Sequence, residues 1–276
     1  MLVHAPAKLN LCLYLGAPRG DGLHELCSLF EPLALVDLIE VTPAERDEIV
    51  CPGVEGENLA ARALAGLRER GWQRQPLRIE IAKRTPVAAG LGGGSADAAA
   101  VLRLAAGEVD DLLALAAELG ADVPSQLRPA LALVRGAGEL IEPLPAPVPH
   151  AALLLPDGGG LSTAAVFAEA DRLGLGRDAA ELEALAARLR EVAGAGASPL
   201  AYPELLVNDL EAPARSLRPA IGEALEALRA AGAPVALLSG SGPTAVGLFP
   251  DLAAARVAAE QLGRDDAIVC EAGLVP

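Results

Sequence analysis

Leucine recurs at every second position through AKLNLCLYL, where Leu9, Leu11, Leu13 and Leu15 alternate with Lys8, Asn10, Cys12 and Tyr14. A period of two predicts a β-strand with the leucines on one face and Lys8, Asn10, Cys12 and Tyr14 on the other. Lys8 and Asn10 are then same-face neighbours, about 7 Å apart. GAPRGDGLHEL follows and, with Gly16, Pro18, Gly20 and Gly22, predicts a turn. LFEPLALVDLIEVT is apolar and leans to β. NLAARALAGLRERG has helical periodicity and stops at Gly71. LRIEIAKR alternates again, which predicts a second strand before a glycine-rich loop. A helix is expected to start near Ser95. VDDLLALAAELG predicts another helix, with Asp110 and Asp111 at its start and Gly120 at its end.

The prolines of LPAPVPHA predict a domain boundary, which divides the chain into 1–146 and 147–276. Beyond it come a strand (AALLLP), a glycine turn at Gly158 to Gly160 and a helix from Ser162. Helices follow in AAELEALAARLREVAG and PAIGEALEALRAAG. VALLSGSGPTAVGLF predicts two strands around a tight turn, then a helix and a last strand in DDAIVCEAG. Strands and helices mix without a regular βαβ period, so the expected class is α+β in two domains.

Composition narrows the chemistry. The 276 residues are 52% hydrophobic and carry a net charge of −15. That charge argues against a general nucleic-acid or membrane-surface role, because phosphate backbones need a basic footprint. A small-molecule substrate fits, with any anionic charge met locally. No apolar run approaches the roughly 18 residues of a membrane span. No basic leader precedes Lys8, so the chain reads as cytoplasmic. Four cysteines and three histidines lack metal-ligand spacing, which makes a dedicated metal site improbable. Lysine occurs only at positions 8 and 83, and asparagine only at 10, 58 and 208. Where a composition avoids a residue type, the few that remain are worth inspecting.

PVAAGLGGGSADAAAVL, from Pro86 to Leu102, places Gly90, Gly92, Gly93 and Gly94 directly before a helix. Such a loop lets backbone amides crowd towards an anion, and the helix start adds its unpaired N–H groups and the positive end of its dipole. The sequence of strand, glycine loop and helix is a phosphate cradle; the competing reading is a plain connector. The loop lacks the GK[ST] ending of a Walker A motif, and Ser95 replaces the last glycine of GxGxxG. Gly240, Gly242 and Ala245 in SGSGPTAVG fit GxGxxA, but a strand follows where a dinucleotide fold needs a helix.

PAKLNL, PVAAGLGGGSADAA and LLSGSGPTAV, in this order, resemble the GHMP kinase superfamily. DGLHEL (Asp21 to Leu26), LGADVP (Leu119 to Pro124) and NDLE (Asn208 to Glu211) bring the chain closer to one member family, the 4-diphosphocytidyl-2-C-methyl-D-erythritol kinases. The resemblance implies an N-terminal domain like the second domain of ribosomal protein S5. It implies a ferredoxin-like C-terminal domain and an active site in the cleft between them. It also implies ATP and magnesium, and phosphorylation of the substrate's 2-hydroxyl in the non-mevalonate isoprenoid route. Leu23 and Ala96 depart from the family pattern, which usually has Tyr and Ser there. Ser125, Gln126 and Pro129 stand where an aromatic and a glycine are common.

By resemblance, Asp122 is the base that takes the acceptor proton, and Lys8 lies beside it. Read from spacing alone, Asp122 is better taken as an N-cap before Pro124, and the resemblance reverses that reading. The loop of Pro86, Val87, Ala88, Ala89, Gly90, Leu91, Gly92, Gly93, Gly94, Ser95 and Ala96 would hold ATP, with Ser95 also open to a capping role. Asn58 and Lys83 would lie near the adenine, although Asn58 could simply cap its helix. Asn10 would bond a substrate hydroxyl. His24 would meet the edge of the cytosine and Phe167 its face, with Thr163 nearby; a Phe on a helix is also an ordinary core residue.

Overall fold

A computed structural model describes residues 1–54 and 56–273. Ten strands and nine α-helices are present among them. β1 (Leu2–Pro18) turns back into β2 (His24–Pro43), and the two pair antiparallel along almost their whole length. The apolar run of LFEPLALVDLIEVT is therefore one long strand rather than several. β3 (Glu48–Val50), α1 (Leu59–Glu69) and β4 (Leu77–Ala82) follow, with β4 paired to the far end of β2. Asn58 caps α1, its side chain accepting from the Ala60 amide at 2.9 Å.

α2 (Gly93–Arg103) leaves the glycine loop, and α3 (Leu112–Leu119) and α4 (Val123–Gln126) succeed it. α3 begins one residue after Asp111, whose side chain caps it, and ends at Gly120. β5 (Ala132–Gly136) pairs with the near end of β2, and β6 (Leu140–Pro143) pairs with β5. Residues 144–149 carry no regular structure.

The second half holds β7 (His150–Leu155), α5 (Thr163–Leu173), α6 (Ala179–Gly194) and α7 (Glu211–Leu217). It continues with α8 (Ala220–Ala230), β8 (Val235–Leu238), β9 (Ala245–Phe249), α9 (Leu252–Leu262) and β10 (Ile268–Ala272). Its strands lie in the order β10-β7-β9-β8. In chain order this is fourth, first, third, second, the arrangement of a ferredoxin-like unit. Helices α5 to α7 are inserted between its first strand and α8. A single residue pair, Ala272 with Leu33, joins this sheet to β2.

The two halves share a core. Leu9, Leu11, Leu29 and Leu33 of β1 and β2 pack in one cluster with Leu154, Val246 and Leu248 of the second half. Apolar burial therefore fixes the wall of the cleft between them. No helix among the described residues is long and apolar enough to cross a membrane.

β1 departs from strict alternation. Asn10 faces Phe30 and Cys12 faces Leu29, so Leu11 is an extra residue without a partner. A bulge of this kind switches the faces of the strand beyond it. Leu13, not Cys12, lines the cavity that holds Lys8 and Asn10. Cys12 and Tyr14 instead join Leu9 and Leu11 in the shared core. The expected common face of Lys8, Asn10, Cys12 and Tyr14 is thus correct only for the first two.

Candidate active site

Two cavities meet in the cleft. The larger, about 740 Å³, is lined by Lys8, Asn10, His24, Asp122, Thr163 and Phe167, which sequence reasoning had assigned to catalysis or substrate binding. The smaller, about 470 Å³, is lined by Asn58, Lys83 and every loop residue from Pro86 to Ser95. Gly90, Gly92, Ser95 and Thr163 border both.

Lys8 is the central cation of the larger cavity. Its Nζ donates to Asn10 Oδ1 at 2.6 Å, lies 3.2 Å from Asp122 Oδ2 and sits 4.3 Å from the centre of the Phe30 ring. Only 5% of Lys8 is exposed, so water screens this pair little. Asn10 Nδ2 donates onward to Ser28 Oγ at 2.9 Å, which fixes the orientation of its amide. Asp122 stands at the N-cap position of α4, yet its side chain makes no capping hydrogen bond. Its carboxylate is engaged by Lys8 and is one-third exposed towards the cavity. The capping reading of Asp122 therefore does not hold.

The glycine loop is bound at two points, to β1 and to the turn between β8 and β9. The Lys8 amide donates to Leu91 O at 2.9 Å, and Ser239 Oγ donates to Gly90 O at 2.9 Å. Gly92 has φ +66°, and a Cβ there would lie 2.8 Å from Lys8 Cγ. Only glycine gives this backbone at no steric cost and lets the loop approach the lysine so closely. α2 starts at Gly93, two residues before the expected Ser95, because Gly92 in the left-handed region serves as its cap. Ser95 is a third-position residue and does not cap. The amides of Gly93, Gly94 and Ser95 have no acceptor among the described residues. They form the open first turn that suits phosphate oxygens.

Ala96 is a correction. It is fully buried, its side chain belongs to the core beneath α2, and its amide already donates to Gly92 O at 2.9 Å. It lines neither cavity.

Lys83 is held by two carboxylates. Its Nζ bonds Asp97 Oδ2 at 2.7 Å and also Asp37 Oδ2. Asp37 Oδ1 accepts from the amides of Arg84 and Thr85 at 2.6 and 2.7 Å. Burial alone would lower the lysine's pKa, but Asp97 and Asp37 raise it above the ordinary value. Burial pushes the Asp97 carboxyl up to about 6 against the pull of Lys83, and its Oδ1 has no partner.

At the other end of the larger cavity, His24 Nε2 lies 2.8 Å from Asp171 Oδ1. The His24 and Phe167 ring centres are 5.2 Å apart and tilted by 43°. Phe167 is partly buried against the second-half core and also lines the cavity, so its core packing leaves the ring accessible from the cavity. Thr163 Oγ1 is 2.8 Å from Ser241 Oγ, and both border the same cavity.

Two family descriptions match the chain: GHMP kinases N terminal domain over residues 58–128, and GHMP kinases C terminal over 182–267. The 4-diphosphocytidyl-2-C-methyl-D-erythritol kinase of Kineococcus radiotolerans is 41% identical, with 91% of this chain and 82% of the relative covered. The enzyme of that name from Streptomyces avermitilis is 40% identical over 94% of this chain and 91% of its own. The chain belongs to the 4-diphosphocytidyl-2-C-methyl-D-erythritol kinase family of GHMP kinases.

A crystal structure of 4-(cytidine 5'-diphospho)-2C-methyl-D-erythritol kinase superposes on this GHMP kinase with a TM-score of 0.82 and 38% identity, over the whole of both chains. A homoserine kinase from Cytophaga hutchinsonii, 19% identical with a TM-score of 0.70 over 98% of this chain and 94% of its own, shares the fold.

Several residues of this GHMP kinase escaped sequence reasoning: Phe30, Asp97, Asp171 and Ser241 line the cavities, and the buried Ser28, Asp37 and Ser239 hold residues that do. Asp37 left a signal, a lone carboxylate inside the apolar run LALVDLIEV. Burying it at 0% exposure requires a partner, and Lys83 was the one other lysine available. Asp171 left none, because its partner His24 is 147 residues away.

Proposed function

We propose that this chain transfers the γ-phosphoryl group of ATP to the 2-hydroxyl of 4-diphosphocytidyl-2-C-methyl-D-erythritol, in the non-mevalonate route to isopentenyl diphosphate. The observation that carries the reading is the Lys8–Asp122 pair, 3.2 Å apart, in a cavity that shares its walls with the glycine loop. We read 1–146 and 147–276 as the two domains that flank this cleft.

ATP fits the smaller cavity. The loop from Pro86 to Ser95 and the open amides of α2 take the phosphates, while Asn58 and Lys83 border the adenine end. Magnesium would enter with the nucleotide and neutralise phosphate charge. The Ser95 hydroxyl, which borders both cavities, would be the protein group placed to help hold it, and the ion would offset charge on the transferred phosphoryl group.

The acceptor lies between Asp122 and the loop. Asp122 takes the proton of the acceptor hydroxyl as its oxygen bonds the γ-phosphorus. The bond from the γ-phosphorus to the β–γ bridging oxygen breaks, and ADP leaves. Lys8, 3.2 Å from the Asp122 carboxylate, orients it and stabilises charge on the transferred group. Asn10 bonds a substrate hydroxyl. His24, Phe167 and Thr163 receive the cytidine end.

Two substitutions separate the ends of the cleft. In Gly93→Val, a Cβ would lie 2.9 Å from Thr85 Cγ2 and 3.1 Å from Lys83 Nζ. Thr85 is buried, so the loop must shift, at a cost of about 1–3 kcal/mol. ATP affinity should fall roughly 5- to 150-fold by equilibrium dialysis. The affinity for the diphosphocytidyl substrate should stay within a few-fold. Unchanged ATP affinity in the folded variant would make the loop a connector.

Phe167→Ala should raise KM for the diphosphocytidyl substrate, because a lost stacking partner costs about 1–3 kcal/mol. KM for ATP should be unaffected. Leu23, half-exposed at the cavity, stands where the family resemblance expects a tyrosine. Leu23→Tyr should lower the same KM. Wild-type KM in folded Phe167→Ala would place the base elsewhere.

The reading as a whole is tested by offering ATP, magnesium and a panel of alcohols and following ADP release. The diphosphocytidyl alcohol should be preferred over mevalonate and homoserine. Faster turnover of either of those would overturn it.

A further inference from the structure

The larger cavity holds one polar contact that the phosphoryl chemistry does not use. α5 presents Ala164, Phe167, Ala168 and Asp171 to it, at the i, i+3, i+4, i+7 spacing of one helical face. That spacing delivers Asp171 to His24, at the start of β2 in the other half, with Oδ1 2.8 Å from Nε2. An ionised carboxylate can only accept, so the His24 Nε2 carries the hydrogen. The opposite ring nitrogen, Nδ1, has no hydrogen-bond partner among the described residues and is not among the sealed polar atoms of the interior. The ring that carries it lines the cavity.

In a neutral imidazole, a hydrogen on one nitrogen leaves the other a bare acceptor. The two pyrimidines differ at position 4: cytosine presents an amino donor there and uracil a carbonyl acceptor. We propose that Asp171 is a specificity-determining positioning residue: by accepting the Nε2 hydrogen of His24 it holds Nδ1 as an acceptor, which matches the amino group of cytosine and meets the carbonyl of uracil with repulsion. This rests on the reading of this end of the cavity as the cytidine end.

Asp171 acts through His24 and need not touch the base. Its own side chain is 52% exposed, so replacing it opens no cavity in the core; His24 is 7% exposed and loses its partner in Asp171→Ala, whereas Asp171→Asn keeps one. Without the carboxylate the ring is free to exchange tautomers. Nδ1 then carries the hydrogen part of the time and can donate it to the uracil carbonyl.

The test has two arms. In the first, Asp171→Ala and wild type are compared for kcat/KM on the cytidine and uridine forms of the diphospho-methylerythritol substrate, at about pH 8, where an ordinary imidazole is neutral. The cytidine-to-uridine ratio should fall about tenfold in Asp171→Ala, the order of one hydrogen bond. KM should carry the change and kcat should not. Asp171→Asn keeps an acceptor oxygen and should lose less.

In the second arm, nitrogen-15 NMR of the free protein reads the His24 tautomer without any substrate. Wild type should show a protonated Nε2 and an unprotonated Nδ1, and Asp171→Ala a mixture. Three histidines keep the assignment short. An unaltered ratio in Asp171→Ala, or a wild-type Nδ1 that carries hydrogen, would overturn the proposal. If wild type turned over neither pyrimidine form, the functional reading would fail instead, and the spectrum would still decide the tautomer.

Discussion

Asp122→Asn should lower kcat by about 10²- to 10⁴-fold, the usual worth of a positioned general base. Affinity for ATP should remain close to that of wild type. The carboxylate lies outside the glycine loop and, of the two cavities, lines only the larger. It makes no capping hydrogen bond, so its loss leaves α4 without a missing partner. Asparagine is nearly the same size and can still face Lys8, which separates the loss of a base from the loss of shape. Rapid-quench kinetics with saturating ATP measures the chemical step, and equilibrium binding measures the nucleotide. A fall in kcat of less than about tenfold would mean that positioning and electrostatics carry the transfer without a base.

Lys83→Ala should destabilise the protein by about 3–5 kcal/mol, even with no nucleotide present. The lysine neutralises Asp37, which is fully buried, and Asp97, which is nearly so. Removing it leaves two buried carboxylates, Asp37 and Asp97, with no cation between them. Asp97 already sits with its pKa raised to about 6 by burial, so it should take up a proton in the variant. Adding Asp97→Asn to Lys83→Ala should restore part of the loss, because only Asp37 would then remain charged. Urea denaturation of the three proteins checks this. A Lys83→Ala variant within about 1 kcal/mol of wild type would show that the triad is not a unit.

The elements in AKLNLCLYL, LRIEIAKR and NLAARALAGLRERG were legible because period two and period 3.6 differ plainly there, whereas β3, β5, β6 and α7, short or without a clear period, were not expected. The glycine loop could be placed because four glycines before a helix exceed what a turn requires. Of the five residues singled out by scarcity, Lys8, Asn10, Asn58 and Lys83 reach the two cavities, whereas Asn208 lines neither and donates to Leu238 O and Gly240 O. The bulge at Leu11 was not legible, because its register is set by pairing with β2 and not by the pattern of β1 itself. Ser95 could not be told from a cap, since the capping residue turned out to be a left-handed glycine. Ala96 looked like part of the loop and is core, because the first full turn of α2 rotates it inward. Partners distant in sequence, such as Asp37 with Lys83 and Asp171 with His24, become visible only when strands and helices are in register.

The central claim is that the Lys8–Asp122 cleft moves phosphate from ATP directly to the diphosphocytidyl alcohol. Phosphorus-31 NMR of a mixture of enzyme, ATP, magnesium and that alcohol follows every phosphorus at once. The expected result is a single new phosphomonoester resonance that grows in step with ADP in wild type and is nearly absent with Asp122→Asn. ADP accompanied only by inorganic phosphate, or a full phosphomonoester signal from Asp122→Asn, would contradict it.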